Sequence, residues 1–121
     1  MNTLLWSVQA LLVLILFPAA ATRALSYEFA KKRMAWVGAV PRSLLLFISV
    51  AEILGAIGLV LPGLTHVAPE LIPVAAVGLG VIQLLAFVFH TSRRESRNAG
   101  ANLVLLALLV FVAAGRLVVS P

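Results

Sequence analysis

Four uninterrupted apolar stretches run through this chain: Thr3 to Thr22, Ser43 to Leu61, Leu71 to His90 and Ala101 to Val119. A stretch of about 18 or more apolar residues is long enough to cross a bilayer core of about 30 Å. Inside hydrocarbon a backbone has no water to bond, so such a stretch satisfies its own N–H and C=O groups as a helix. The pattern predicts an all-α, integral membrane bundle of four transmembrane helices, one domain over residues 1–121. Composition agrees: 63% of the 121 residues are hydrophobic and 11% charged, whereas soluble domains run at about 25% charged. The run FPAAATRA at the end of the first stretch offers small residues of the kind signal peptidase cuts. MNTLLWSVQ, however, has no Lys or Arg ahead of the apolar run, and a signal peptide needs a positive leading region. The first stretch is therefore expected to stay as a helix.

Charge sets the expected topology. Of the nine Lys and Arg residues, eight (Arg23, Lys31, Lys32, Arg33, Arg42, Arg93, Arg94 and Arg97) fall between stretches one and two or between three and four, while PGLTHVAP between two and three has none. In a four-helix topology those two basic connections share a side. The positive-inside rule makes that side cytoplasmic, with both termini outside a cytoplasmic (inner) membrane. The formal charge of +5 is thus expected to meet anionic headgroups, not nucleic acid. In the first connection Tyr27, Ala30, Met34 and Val37 recur at helical spacing with Lys31, Lys32 and Arg33 off the stripe, which predicts a short helix on the membrane surface with Trp36 as an interfacial anchor. Pro41 marks the entry to the second span, and Pro62, Gly63 and Pro69 read as helix stops.

One residue is out of keeping with its surroundings. Glu52 stands in the middle of the second stretch, where a carboxylate costs several kcal/mol unless it faces the bundle interior and is paired or protonated. Its side of a 3.6-residue helix carries Leu45, Ser49, Gly55, Ala56 and Leu59, and small residues of this kind let membrane helices approach closely. Each other stretch has a matching seam: Gln9, Leu16, Ala20 and Arg23; Ala76, Gly80, Gln83, Ala86 and His90; Asn102, Leu105, Leu109, Ala113 and Arg116. At 1.5 Å per residue Glu52 lies about 15 Å, and Gln83 about 10 Å, from the cytoplasmic end of its helix. Gln83 and Arg116 are then the expected direct partners of Glu52. Arg23, Glu28, His90 and Asn102 are expected at the mouth, reaching Glu52 only through water or a ligand. The result is a polar pocket floored by Glu52 and open to the cytoplasm. The plain alternative is that a paired Glu52 only fixes helix register, that His90 is solvated at an interface and that Asn102 caps the fourth helix.

Several chemistries are excluded. The chain has no cysteine, so thiol relays, disulfides and Cys-ligated clusters within it are ruled out. Bis-histidine haem within one chain fails because His66 and His90 sit about 30 Å apart across the third span. A zinc or di-metal site fails for want of ligands: two His, no Asp and four scattered Glu. No Walker, GxSxG or dinucleotide fingerprint occurs, and Gly78 to Gly80 lies inside an apolar span where close packing explains it.

The order of these signals, AATRAL with Arg23, then Trp36, AEILGAIGLVLPGL, PVAAVGLGVIQLLAFVFH ending in His90, an Asn opening the fourth helix and a final Arg116, resembles the DoxX-like family of small bacterial membrane proteins. The E-x-x-G-A-x-G-L run followed by a helix ending in A-x-x-x-H is its more specific part. The chain departs from the family in carrying AATR where Gly and Lys are more usual, so a guanidinium that stays charged takes the place of a titratable amine. The resemblance implies a four-helix membrane fold with relatives described as quinone-linked thiosulfate oxidoreductase subunits or membrane partners of redox-defence enzymes. It transfers no reaction, and whether the chain is an enzyme is left open. The function expected is an accessory or small-ligand-binding subunit of a membrane redox system, with quinone as candidate ligand and a soluble redox enzyme or a second copy as candidate partner. Glu52, Gln83, His90, Asn102, Arg116 and Arg23 are the candidate ligand-binding residues. Two other readings stand beside it. Small proton-coupled exporters of lipophilic cations also carry one mid-membrane Glu, but in the first helix and without a fixed charge bias; a purely structural scaffold would tolerate neutral polar replacement of Glu52.

Overall fold

The computed structural model describes residues 1–121. It holds α1 (Asn2–Leu25), a short α2 (Tyr27–Arg33) with a 3-10 turn after it (Ala35–Ala39), α3 (Arg42–Thr65), α4 (Leu71–Ser92) and α5 (Ser96–Val118). The four long helices are long and apolar enough to cross a membrane, about 33 to 36 Å each at the standard rise. Packed in chain order, α1 lies against α3, α3 against α4 and α4 against α5, and α5 closes back on α1. Residues 26–41 and 93–95 connect helices at one end, the basic end; residues 66–70, Met1 and the last residues of the chain mark the far end.

The bundle turns its membrane-embedded polar side chains inward and leaves many large apolar ones on its outer surface. Gln9, Arg23, Ser49, Glu52, Gln83, His90 and Arg116 are buried, whereas Leu14, Phe47, Leu54, Leu85 and Val110 face outward. That distribution suits a hydrocarbon solvent, in which polar groups must find partners within the protein. The four seams read from the sequence all turn inward, α1 burying Gln9, Leu16, Ala20 and Arg23, and α3 burying Leu45, Ser49, Glu52, Ala56 and Leu59. The main apolar core of Leu12, Leu16, Leu59, Ile72, Ala76, Leu79, Leu109 and Val112 fills the middle of the bundle and extends toward the far end.

Glycines draw the helices together at that end. A Cβ on Gly55 would lie 2.6 Å from Leu79, on Gly58 2.9 Å from Ala75, on Gly63 2.6 Å from the Trp6 ring and on Gly115 2.5 Å from Leu5. No side chain larger than hydrogen fits these crossings without a shift. Pro62 and Gly63, expected to stop the second span, instead lie buried within α3, which runs on to Thr65. Pro62 withholds only one N–H, from the Gly58 carbonyl, and membrane helices tolerate that loss when neighbours support them. The stop comes from His66, in the left-handed region at φ 57°.

The first connection keeps its predicted stripe but not its predicted single helix. Met34 is extended (φ −124°, ψ 101°) and breaks the segment in two. Ala30 and Val37 are buried against Leu45, with Tyr27, Met34, Trp36 and Val40 packed around them. The Arg42 guanidinium stacks 4.4 Å from the Tyr27 ring, tying α2 to the start of α3.

Candidate functional site

Helical periodicity sets up a cleft at the basic end. On α3 the residues at positions 44, 48, 55 and 58 share one stripe, as do positions 75, 79, 82, 86 and 89 on α4. Toward the far end these stripes touch through Gly58 with Ala75 and Gly55 with Leu79. Toward the basic end the same stripes part, and Leu44 and Ile48 of α3 and Ile82, Ala86 and Phe89 of α4 line a cavity of about 470 Å³. Volumes of this order hold small organic ligands.

Its polar lining comes from four helices and the first connection: Arg23, Trp36, Glu52, Gln83, His90 and Asn102. Arg23 Nη2 donates to Glu52 Oε2 at 2.8 Å, with the two residues only 8% and 4% exposed. This overturns the partners read from the sequence, since Glu52 is hydrogen-bonded to neither Gln83 nor Arg116. Depth along the second and third spans alone does not decide the partner, because the helix ends are not level and the first helix does not stop at Thr22. In fact α1 continues to Leu25, and two long side chains close the remaining gap. Arg23 is further held by Trp36, whose ring lies 5.4 Å from the guanidinium carbon. Two buried donors in the cavity lining lack any protein acceptor, Arg23 Nε and Asn102 Nδ2.

His90 is fixed by the way α4 ends. Arg94 takes the left-handed conformation at φ 60°, the Arg94 N–H donates to the Thr91 carbonyl at 3.0 Å and the Glu95 N–H to the His90 carbonyl at 2.8 Å. This is the Schellman pattern of a helix C-terminus, with Arg in the place glycine usually takes. It returns Glu95 to the side of His90, where His90 Nδ1 and Glu95 Oε1 are 2.8 Å apart and Arg93 Nε donates to the same oxygen at 3.0 Å. The hydrogen bonds from His90 and Arg93 hold the Glu95 carboxyl below the usual carboxylate range. The imidazole also meets Trp36 and Phe89 edge-on at 5.3 and 5.2 Å. Trp36 is thus part of the cavity wall and not only an interfacial anchor.

Of the six candidate residues, Arg23, Glu52, Gln83, His90 and Asn102 line one cavity. Arg116 does not reach it. At the far end its Nε donates to Gln9 Oε1 and its Nη1 to Asn2 Oδ1, both at 2.7 Å, and its guanidinium carbon lies 5.4 Å from the Trp6 ring. Glu28, expected at the mouth, is exposed and outside the lining. Glu95 escaped notice in the sequence because it lies off every seam, and no glycine marks the turn that brings it back.

No curated protein and no solved structure matches the chain. The model of the DoxX-like family matches residues 7–112, a span that takes in Arg23, Trp36, Glu52, His90 and Asn102 together with all of the bundle but the start of α1 and the end of α5; the chain belongs to the DoxX-like family.

Proposed function

We propose that this membrane protein binds a lipophilic small molecule with an acceptor-oxygen head, quinone-like in character, and acts as an accessory subunit of a membrane redox system. The observation that carries this reading is the cavity itself, largely apolar in its walls yet holding a buried ion pair and two donors without acceptors. A buried donor left unpaired costs about 1–3 kcal/mol, and a ligand carbonyl beside Arg23 Nε or Asn102 Nδ2 relieves that cost. A bound quinone would supply reversible two-electron carbonyl chemistry. Glu52 keeps the Arg23 guanidinium in place, while Trp36 and Phe89 present ring edges and faces to a flat head. The same ion pair weighs against exchange of a lipophilic cation, because such a substrate would meet a fixed positive charge beside Glu52.

In this reading the basic end faces the cytoplasm and both termini lie outside. A soluble redox enzyme or a second copy is the corresponding partner. The test is titration of decylubiquinone into the purified protein in mild detergent, followed by quenching of tryptophan fluorescence, with native mass spectrometry of the untreated protein to identify any retained compound. Saturable binding that weakens about three- to tenfold in Asn102→Ala, the worth of one hydrogen bond, supports the reading. Quenching that never saturates, or that ignores Asn102→Ala, overturns it.

A further inference from the structure

The cavity is not walled off from the bilayer. Leu44 on α3 and Leu85 on α4 belong to its lining and are 47% and 64% exposed on the outer surface of the bundle. Pro41, also in the lining, is exposed beside them. All three are apolar, and all lie where the α3 and α4 stripes have parted. Below them in the same cleft come Ile48 and Ile82, half-buried, and then the buried polar groups Glu52 and Gln83. Polarity therefore rises steadily from the lipid-facing edge inward.

From this gradient we infer that the site takes its ligand sideways from the bilayer, through the mouth between Leu44 and Leu85, and that the bound molecule is a tailed amphiphile whose tail stays in that mouth. The inference rests on the ligand-binding reading above and adds the route and the shape of the ligand. An apolar mouth opening on hydrocarbon offers a charged, water-soluble solute no favourable entry. A single acyl or isoprenoid tail instead trades lipid contacts for Leu44, Ile48, Ile82 and Leu85 at little cost, while its head gains the Arg23 and Asn102 donors. The gain comes from the head and the alignment from the tail. A membrane-dissolved molecule also arrives already concentrated and confined in depth, so the mouth need only match its level in the bilayer.

The experiment uses the full chain in lipid nanodiscs. Trp6→Phe leaves Trp36, in the cavity wall, as the single tryptophan reporter. Decylubiquinone is compared with its tail-less benzoquinone head, and Leu84→Phe, whose added ring lies outside the lining, serves as the control for added bulk. In Leu44→Phe with Leu85→Phe, which narrows the mouth, decylubiquinone binding is expected to weaken about tenfold and binding of the tail-less head to change less than about twofold. Leu44→Ala with Leu85→Ala removes contacts with the tail without adding bulk. It is expected to show the same tail-selective loss and decides the matter should the Phe variant fail to fold. Equal binding of both quinones in all variants overturns lateral entry while leaving the cavity reading standing. Absence of saturable Trp36 quenching by either quinone in the parent protein removes both.

Discussion

Removing one member of the Arg23–Glu52 pair tests the internal electrostatics of the bundle. The two groups are 2.8 Å apart and almost fully buried. Arg23→Met leaves a carboxylate in the interior with no cation, and breaking a buried pair in this way costs about 3–5 kcal/mol. Glu52→Leu leaves a guanidinium that still stacks on Trp36, an interaction worth about 0.5–2 kcal/mol, so its loss is expected to be the smaller of the two. In Arg23→Met with Glu52→Leu no charge remains to be desolvated, and replacing a buried pair by apolar residues is often neutral or stabilising. The double variant is therefore expected to be more stable than Arg23→Met alone, with a coupling energy above about 1.5 kcal/mol. Unfolding free energies from titration of dodecyl sulfate into mixed micelles, followed by helix circular dichroism, supply the four corners of the cycle. Additivity within about 0.5 kcal/mol would show that the pair is not energetically coupled, and the reasoning would fail.

Three further outcomes follow from the geometry. Gly63→Ala places a methyl group against the rigid Trp6 ring and is expected to cost about 1–3 kcal/mol, whereas Gly78→Ala and Gly100→Ala meet nothing within 4 Å and are expected to gain about 0.5–1 kcal/mol in the same titration. Because Glu95 is held below its ordinary value of about 4.3, its bonds to His90 and Arg93 are intact above that value and lost as pH falls through the lowered one. Corrected for the intrinsic exchange rate, the protection of residues 93–96 should therefore fall as the pH drops through that lowered value, a step absent in Glu95→Gln; an unchanged step in that variant would assign it elsewhere. Arg116→Met strands the buried Gln9 Oε1 without its donor and is expected to cost about 1–3 kcal/mol. A loss matching that of an exposed residue such as Leu117→Ala would refute the link between α1 and α5.

How far the sequence disclosed this arrangement depends on the range of the signal. Helical periodicity put Gln9, Ser49, Glu52, Gln83, His90 and Arg116 on inward faces, and each is buried, because a 3.6-residue repeat within one helix needs no knowledge of its neighbours. Pairings across helices were another matter. Which partner reaches Glu52 depends on relative helix depth and on side chains that extend along the axis, and neither is written in one helix. That is why Arg23 displaced Gln83 and Arg116. Trp36 had the composition of an interfacial anchor, and only the break at Met34 turns it toward His90. Glu95 depended on an arginine adopting a backbone conformation for which glycine is the usual sign. At Pro62 and Gly63 the local rule for a helix stop gave way to burial, Gly63 facing Trp6 of α1 and Ile72 of α4.

The uneven spacing of the helices has a mechanical consequence. Glycine crossings at Gly55, Gly58, Gly63 and Gly115 pin the bundle at the far end, while the basic end holds a cavity and a folded-over connection. Any variation in tilt between α3 and α4 pivots about the pinned crossings and shows as a change in spacing at the other end, as in a pair of tongs. Gly55 and Gly58 alone set that pivot, since each meets a residue of α4 where a Cβ would stand, so the place where the cleft can widen is fixed by two residues that lack a side chain.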